Sequence, residues 1–199
     1  MINTKIIIIE GMPGSGKSTT ARLVAERLNT LKIANLMYEE TTVGNPLFYN
    51  TPALSSLIDE TVTDKFIATI KGLYVNFIKN YLARDEIVII ESVIFQDVVS
   101  LAHMMGMDHT KLLELVQFIQ DSLAPFKPAL IYYYQLDIEQ NWRNICRIRG
   151  SEFTNIVNLH TDQDFQNAAL VWTRSQDFVT DLVDKWAEYQ EQVNTFLDI

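Results

Sequence analysis

The sequence predicts an α/β fold of three layers, one parallel sheet with helices on both faces. Two observations lead there. Short β-branched runs alternate along the chain with segments whose apolar residues recur at steps of three and four, the pattern of parallel βαβ units. The first such run, residues 5–9, is followed at once by Gly11-Met12-Pro13-Gly14-Ser15-Gly16-Lys17-Ser18, a complete G-x-x-x-x-G-K-[ST] phosphate-binding loop. Strand, glycine loop and helix form the context that this motif requires. Right-handed crossovers then place helices on both faces, and ligands of such sheets bind beyond the carboxyl ends of the strands.

The elements follow in order. Residues 5–9 read Lys-Ile-Ile-Ile-Ile and predict a buried strand, after which the chain turns polar at Glu10. Ala21, Val24, Ala25 and Leu28 share a helical face after the loop. Residues 33–38 predict a second strand, ending at Glu39 and Glu40; the polar stretch after it is broken by Gly44, Asn45, Pro46 and Pro52. Val62, Phe66, Ile70, Leu73 and Phe77 predict a long helix to about Leu82. Residues 87–90 predict a third strand, ending at Glu91-Ser92, and Leu112, Val116, Ile119 and Leu123 a helix stopped by Pro125 and Pro128. Residues 129–135 predict a fourth strand, and a helix carrying Arg143, Arg147 and Arg149 runs to Gly150. From about Asp164 the pattern is helical again, with Val179, Leu182, Trp186, Tyr189, Val193 and Phe196 read as a core stripe. The expected organisation is a single domain over 1–199, with an acceptor-binding insertion at about 41–84 and a lid at about 138–152.

The chemistry of the loop follows from its residue types. Its glycines let the backbone approach a ligand closely, and successive N–H groups from Gly11 through Gly16 form an anion nest. The N–H groups of the first helical turn, at Lys17, Ser18 and Thr19, add the positive end of the helix dipole. Lys17 is a mobile cation for the outer phosphates, and Ser18 is placed to hold Mg2+. Glu91 ends an apolar strand and is the acid expected to hold the metal or orient an acceptor. Either Glu39 or Glu40 is expected to be a general base; adjacent strand-end residues point to opposite sides, so one of the two faces the cleft. Arg143 and Arg147 lie four apart and share a helix face. With Arg149 they read as a lid that closes on donor phosphates through planar guanidinium donors, or else as a solvated face paired with Glu139 or Glu152. Phe48, Tyr49 and Phe95 are candidates for an acceptor pocket or for core.

Composition narrows the field. The formal net charge is −9, which disfavours nucleic-acid polymers and anionic membrane surfaces. Cys146 is the only cysteine, and His103, His109 and His160 are scattered, so neither a disulfide framework nor a zinc site is expected. No apolar stretch reaches membrane-spanning length, and a cytoplasmic location is expected by default. The expected partner is a small-molecule acceptor, and a homodimer is compatible with the sequence.

Residues 131–137 (Ile-Tyr-Tyr-Tyr-Gln-Leu-Asp), continuing through Arg143, Arg147, Arg149 and Glu152, resemble the strand-four and lid segment of deoxynucleoside kinases. That family and its relative thymidylate kinase are also similar at Gly11–Ser18, at Glu39 or Glu40, and at Glu91-Ser92. The resemblance covers most of residues 1–152. It implies a P-loop NTPase fold of four or five parallel strands in the order 2-3-1-4. It also implies a kinase that moves the γ-phosphate of ATP, with Mg2+, to a nucleoside or nucleoside monophosphate. Three features depart from it. Ser92 stands where the family carries an acceptor-holding arginine, 155–159 is the only candidate for a fifth strand, and 41–57 matches no base-specific pattern. A phosphotransferase for an antibiotic or sugar uses the same donor half and remains open, as does a non-catalytic nucleotide-binding module. The guanine motif of a GTPase and the signature of a transporter ATPase are absent from the sequence.

Overall fold

The computed structural model describes residues 4–40, 42–49, 60–82 and 84–190, with side chains described except at 60, 61, 82 and 183–190. Residues 41, 50–59 and 83 of the expected acceptor-binding insertion therefore lie outside the described residues, as do Val193 and Phe196.

Strand β1 (Ile6–Gly11) is fully buried because its alternate side chains feed two different cores. Ile6 and Ile8 point to one side of the sheet, with Phe66, Ile70 and Phe77 of helix α2 (Glu60–Phe77) and Leu112, Leu115 and Ile119 of α4 (His109–Leu123). Ile7 and Ile9 point to the other, with Ala21 and Leu28 of α1 (Lys17–Thr30). Burying an isoleucine completely is worth about 1.5–3 kcal/mol, so a strand buried on both faces anchors the molecule. β1 pairs in parallel with β3 (Ile87–Glu91) and β4 (Ala129–Tyr133), and β3 with β2 (Asn35–Tyr38). The order is β2-β3-β1-β4, as the resemblance implied.

Helix α2 continues as a π-helical turn, Ile78–Leu82, and β3 leads through a second π-helical turn, Phe95–Ser100, into the short α3 (Leu101–Met104). Helices α5 (Ile138–Val157) and α6 (Asp162–Gln190) close the chain. In α6, Val179 and Leu182 are buried in the first core, as the apolar stripe predicts over the part described, and Trp172 and Phe178 join them. The side chains of Trp186 and Tyr189 are outside the description.

Four boundaries differ from the sequence reading, each for a local reason. β2 starts at Asn35 rather than at 33 because α1 ends in a turn, with Lys32 at φ 58° and the Ile33 N–H donating back to the Leu28 carbonyl. β4 stops at Tyr133 rather than at 135 because the Gln176 side chain takes the backbone pairing of Gln135. The Gln135 N–H donates to Gln176 Oε1 at 2.8 Å, and Gln176 Nε2 donates to the Gln135 carbonyl at 2.9 Å. Glu10, expected to begin the polar turn, is still in β1 and 1% exposed. Asn155, Ile156 and Val157 are helical, ending at the left-handed cap Asn158, so among the described residues the sheet has four strands.

Candidate active site

The phosphate-binding loop sits where β1 meets α1, at the carboxyl edge of the sheet. Its path depends on glycine where the chain is crowded. Gly11 lies against Tyr133 of β4, and Gly14, at φ 79°, lies against Ile145 of α5. Met12 and Pro13 anchor the loop through their carbonyls. The Met12 carbonyl accepts from the Ser15 N–H, and the Pro13 carbonyl accepts from Asn141 Nδ2 at 3.1 Å. Helix α5 therefore holds the loop from above. Thr20, one turn into α1, is hydrogen bonded to the Tyr133 hydroxyl.

Lys17 is only 6% exposed. Its ammonium donates to the Met12 carbonyl and to Gln96 Oε1, both at 3.1 Å. Burial lowers its pKa, while Glu10, Glu40, Glu91 and Asp97 oppose that shift. The Ser18 hydroxyl donates to Glu91 Oε1 at 3.0 Å, and the Glu40 backbone N–H donates to the same oxygen at 3.2 Å. Glu91 Oε2 is buried with no partner among the described residues.

These groups open onto one cavity of about 780 Å³. Pro13, Gly14, Gly16, Lys17, Ser18 and Thr19 form its floor, and Glu40, Glu91, Gln96 and Asp97 form an acidic and polar wall. Leu101, Met104, Trp142, Phe153 and Trp172 make the remaining side apolar, with Arg149 at its edge. Asp97 is held well above the usual carboxylate range, first by burial and then by Glu40, Glu10 and Glu91 around it. Glu10, behind the wall, is pushed up to about 7 by burial although its Oε1 accepts from the Ile94 N–H at 2.6 Å.

The sequence left Glu39 and Glu40 unresolved, and the geometry separates them. Glu40 lines the cavity. Glu39 turns outward to an exposed ion pair with Arg22, at 2.7 and 3.0 Å. The three arginines also part company. Arg149 lines the cavity and lies over the Phe153 ring at 4.7 Å. Arg143 does not line it. Its guanidinium donates to Glu139 and Asp162 and covers Phe165 at 4.6 Å, the solvated-face alternative. Arg147 is exposed, outside the cavity lining, with no ion pair among the described residues. Arg143 is held by acids of α5 and α6. Of the candidate aromatics, Phe95 is core, edge-on to Tyr132 and Trp172, Tyr49 packs on Phe66, and Phe48 is exposed.

Gln96, Asp97, Asn141, Trp142 and Trp172 are cavity or loop contacts that the sequence reading did not single out. The nearest signal was position: Gln96 and Asp97 follow the strand-three acid by five and six residues.

The donor set suits a hard divalent cation. Ser18 offers a hydroxyl, and Glu91 a carboxylate with one buried oxygen unpartnered; such oxygen ligands suit Mg2+, which takes one or two protein groups and completes its shell with phosphate and water. No cluster of three or more metal-ligating side chains occurs among the described residues.

A glycine loop with its lysine and serine, set at the head of a 2-3-1-4 parallel sheet and facing strand-end carboxylates, defines a P-loop phosphotransferase. Residues 9–180 match the thymidylate kinase family model. The chain belongs to the thymidylate kinase family. A thymidylate kinase of Vibrio campbellii (strain ATCC BAA-1116) is 28% identical over 144 residues, 69% of this chain and 67% of that protein. The crystal structure of thymidylate kinase from Ehrlichia chaffeensis is similar at 21% identity and a TM-score of 0.39, over 75% of this chain and 100% of that one. No helix among the described residues is long and apolar enough to cross a membrane.

Proposed function

We propose that this protein is an ATP- and Mg2+-dependent kinase that transfers the γ-phosphate to a small acceptor of the nucleoside or nucleoside monophosphate class. One observation carries the reading: the Ser18–Glu91 contact lies in the same cavity as Lys17 and Glu40.

The loop N–H groups and Lys17 bind the donor phosphates. Leaving its resting partners, Met12 and Gln96, Lys17 moves its ammonium onto the outer phosphates. Ser18 and Glu91 would hold Mg2+, which would neutralise phosphate charge there. Glu40 accepts the proton of the acceptor as its oxygen bonds to the γ-phosphorus and the bond to the β-phosphate oxygen breaks, releasing ADP. Arg149, at the cavity edge, supplies charge from the lid. The apolar wall keeps water from the γ-phosphate.

The test is Lys17→Ala in an assay of ADP formation from Mg-ATP with a panel of nucleosides and nucleoside monophosphates. Turnover is expected to fall at least about 100-fold, with the circular dichroism spectrum unchanged. Unaltered turnover in the variant refutes the mechanism.

A further inference from the structure

Lys17 rests among acids without pairing to any of them. Glu10, Glu40, Glu91 and Asp97 all act electrostatically on its ammonium, yet no ion pair joins it to one of them among the described residues. Its partners are two neutral oxygens, the Met12 carbonyl and Gln96 Oε1, both at 3.1 Å. The difference matters for a cation that must move. A carboxylate would hold the ammonium by charge as well as by hydrogen bond, and that hold would have to break before phosphate could take its place.

The Met12 oxygen belongs to the loop itself. Gln96 comes from the opposite wall, and its place is set from several directions. After β3 the chain turns at Ser92, left-handed at φ 65°. The Tyr74 hydroxyl donates to the Val93 carbonyl at 2.9 Å, and the Ile94 N–H donates to Glu10 Oε1 at 2.6 Å. The Phe95 ring meets Tyr132 and Trp172 edge-on, and the Phe95 carbonyl accepts from Ser100 Oγ at 2.9 Å. Val93, Ile94 and Phe95 are buried, whereas Gln96 is half-buried and lines the cavity with Lys17. Groups from α2, β1, β4 and α6 thus fix the turn just ahead of Gln96, so its amide oxygen is delivered to one place.

We infer that Gln96 is a positioning residue for Lys17: its amide oxygen holds the ammonium beside the loop until the outer phosphates of the donor take it. The inference rests on the kinase reading above and adds the residue that sets where its lysine waits. Gln96 acts through Lys17. Donor binding exchanges the Lys17–Gln96 hydrogen bond for one to phosphate. The amide satisfies a buried ammonium at rest, and its hold is subtracted from the affinity for the donor.

The test measures the affinity of the full chain for Mg-ATP, without acceptor, by tryptophan fluorescence, since Trp142 and Trp172 line the cavity. Gln96→Met keeps the reach of the side chain and removes the amide oxygen. That variant is expected to bind Mg-ATP at least about threefold more tightly, because the bond that competes with phosphate is gone. Gln96→Glu puts a carboxylate in the same place and is expected to bind at least about tenfold more weakly. A glutamine that only supports the turn would weaken binding in both variants. In a Lys17→Ala background the gain from Gln96→Met is expected to shrink to within about twofold. Binding by Gln96→Met that is weaker than wild type, or within about threefold of it, overturns the inference. So does a gain that survives in Lys17→Ala, or binding by Gln96→Glu as tight as wild type. A wild-type chain that binds no Mg-ATP refutes the kinase reading itself, and the inference falls with it. A wild-type chain that binds Mg-ATP while Gln96→Met changes nothing refutes the role of Gln96 alone.

Discussion

Substituting Gly14 by alanine tests the joint between the phosphate loop and helix α5. Gly14 sits at φ 79°, a backbone region that costs a side-chain-bearing residue about 1–2 kcal/mol. An alanine Cβ placed there lies 2.5 Å from Ile145 Cγ1 and 2.6 Å from Cδ1, well inside van der Waals contact. Ile145 is 5% exposed and part of the packed face of α5, so relieving the overlap costs about 1–3 kcal/mol more. Together Gly14→Ala should destabilise by about 2–5 kcal/mol, which lowers the melting temperature of a chain this size by roughly 4–20 °C. Ile145→Ala alone should cost about 2–5 kcal/mol. In the double variant the new methyl occupies space that the isoleucine vacated, so the two costs should fall short of additive by at least about 1 kcal/mol. Urea denaturation of the four proteins reads the coupling. Additivity within about 0.5 kcal/mol refutes the claim that α5 braces the loop through this contact.

The remaining predictions concern the acids and the lid. Glu40→Gln should lower kcat by about 10²- to 10⁴-fold, as loss of a general base does, while Glu39→Gln stays within about twofold; steady-state kinetics showing the reverse order rejects the assignment. Glu10 carries a carboxyl pushed from 4.5 up to about 7, first by burial. Between those pH values the unfolded chain releases a proton that the folded chain keeps, so stability falls as pH rises, by up to about 3 kcal/mol, and levels off above pH 7. Glu10→Gln should flatten that slope in urea midpoints taken at pH 5 and pH 7.5, and an unchanged slope shows that Glu10 is not its source. Arg149→Ala should lower turnover more than ATP affinity, because a lid cation at the cavity edge acts on transition-state charge; a variant weakened only in ATP binding, measured by titration, contradicts this.

What was legible in the sequence was whatever is local along the chain. The loop from Gly11 to Ser18 is contiguous, and its strand and helix flank it directly, so motif and context were both readable. The strand-end acids were readable as positions, but orientation was not. Glu39 and Glu40 differ in placement because Arg22, on α1, claims Glu39 while Glu40 lines the cavity. Gln96 and Asp97 were hidden because a π-helical turn after the left-handed Ser92 sets their direction, and neither feature has a periodic signature. The apolar wall unites Leu101, Trp142 and Trp172, drawn from three helices, a juxtaposition that the packing of α6 on both α3 and α5 produces. The shared helix face of Arg143 and Arg147 was read correctly as geometry, yet Asp162 of the next helix took Arg143 out of reach. At Gln135 the strand pattern ran on while a glutamine side chain had already replaced the neighbouring strand.

On the proposed function, the cavity above Lys17 moves phosphate from Mg-ATP to a small acceptor. Phosphorus NMR of the full chain incubated with Mg-ATP and the acceptor panel tests it most directly. A new phosphate-ester signal should grow in equal amount with ADP, and disappear in Lys17→Ala. Release of inorganic phosphate alone, or bound ATP that stays intact with every acceptor, would contradict it.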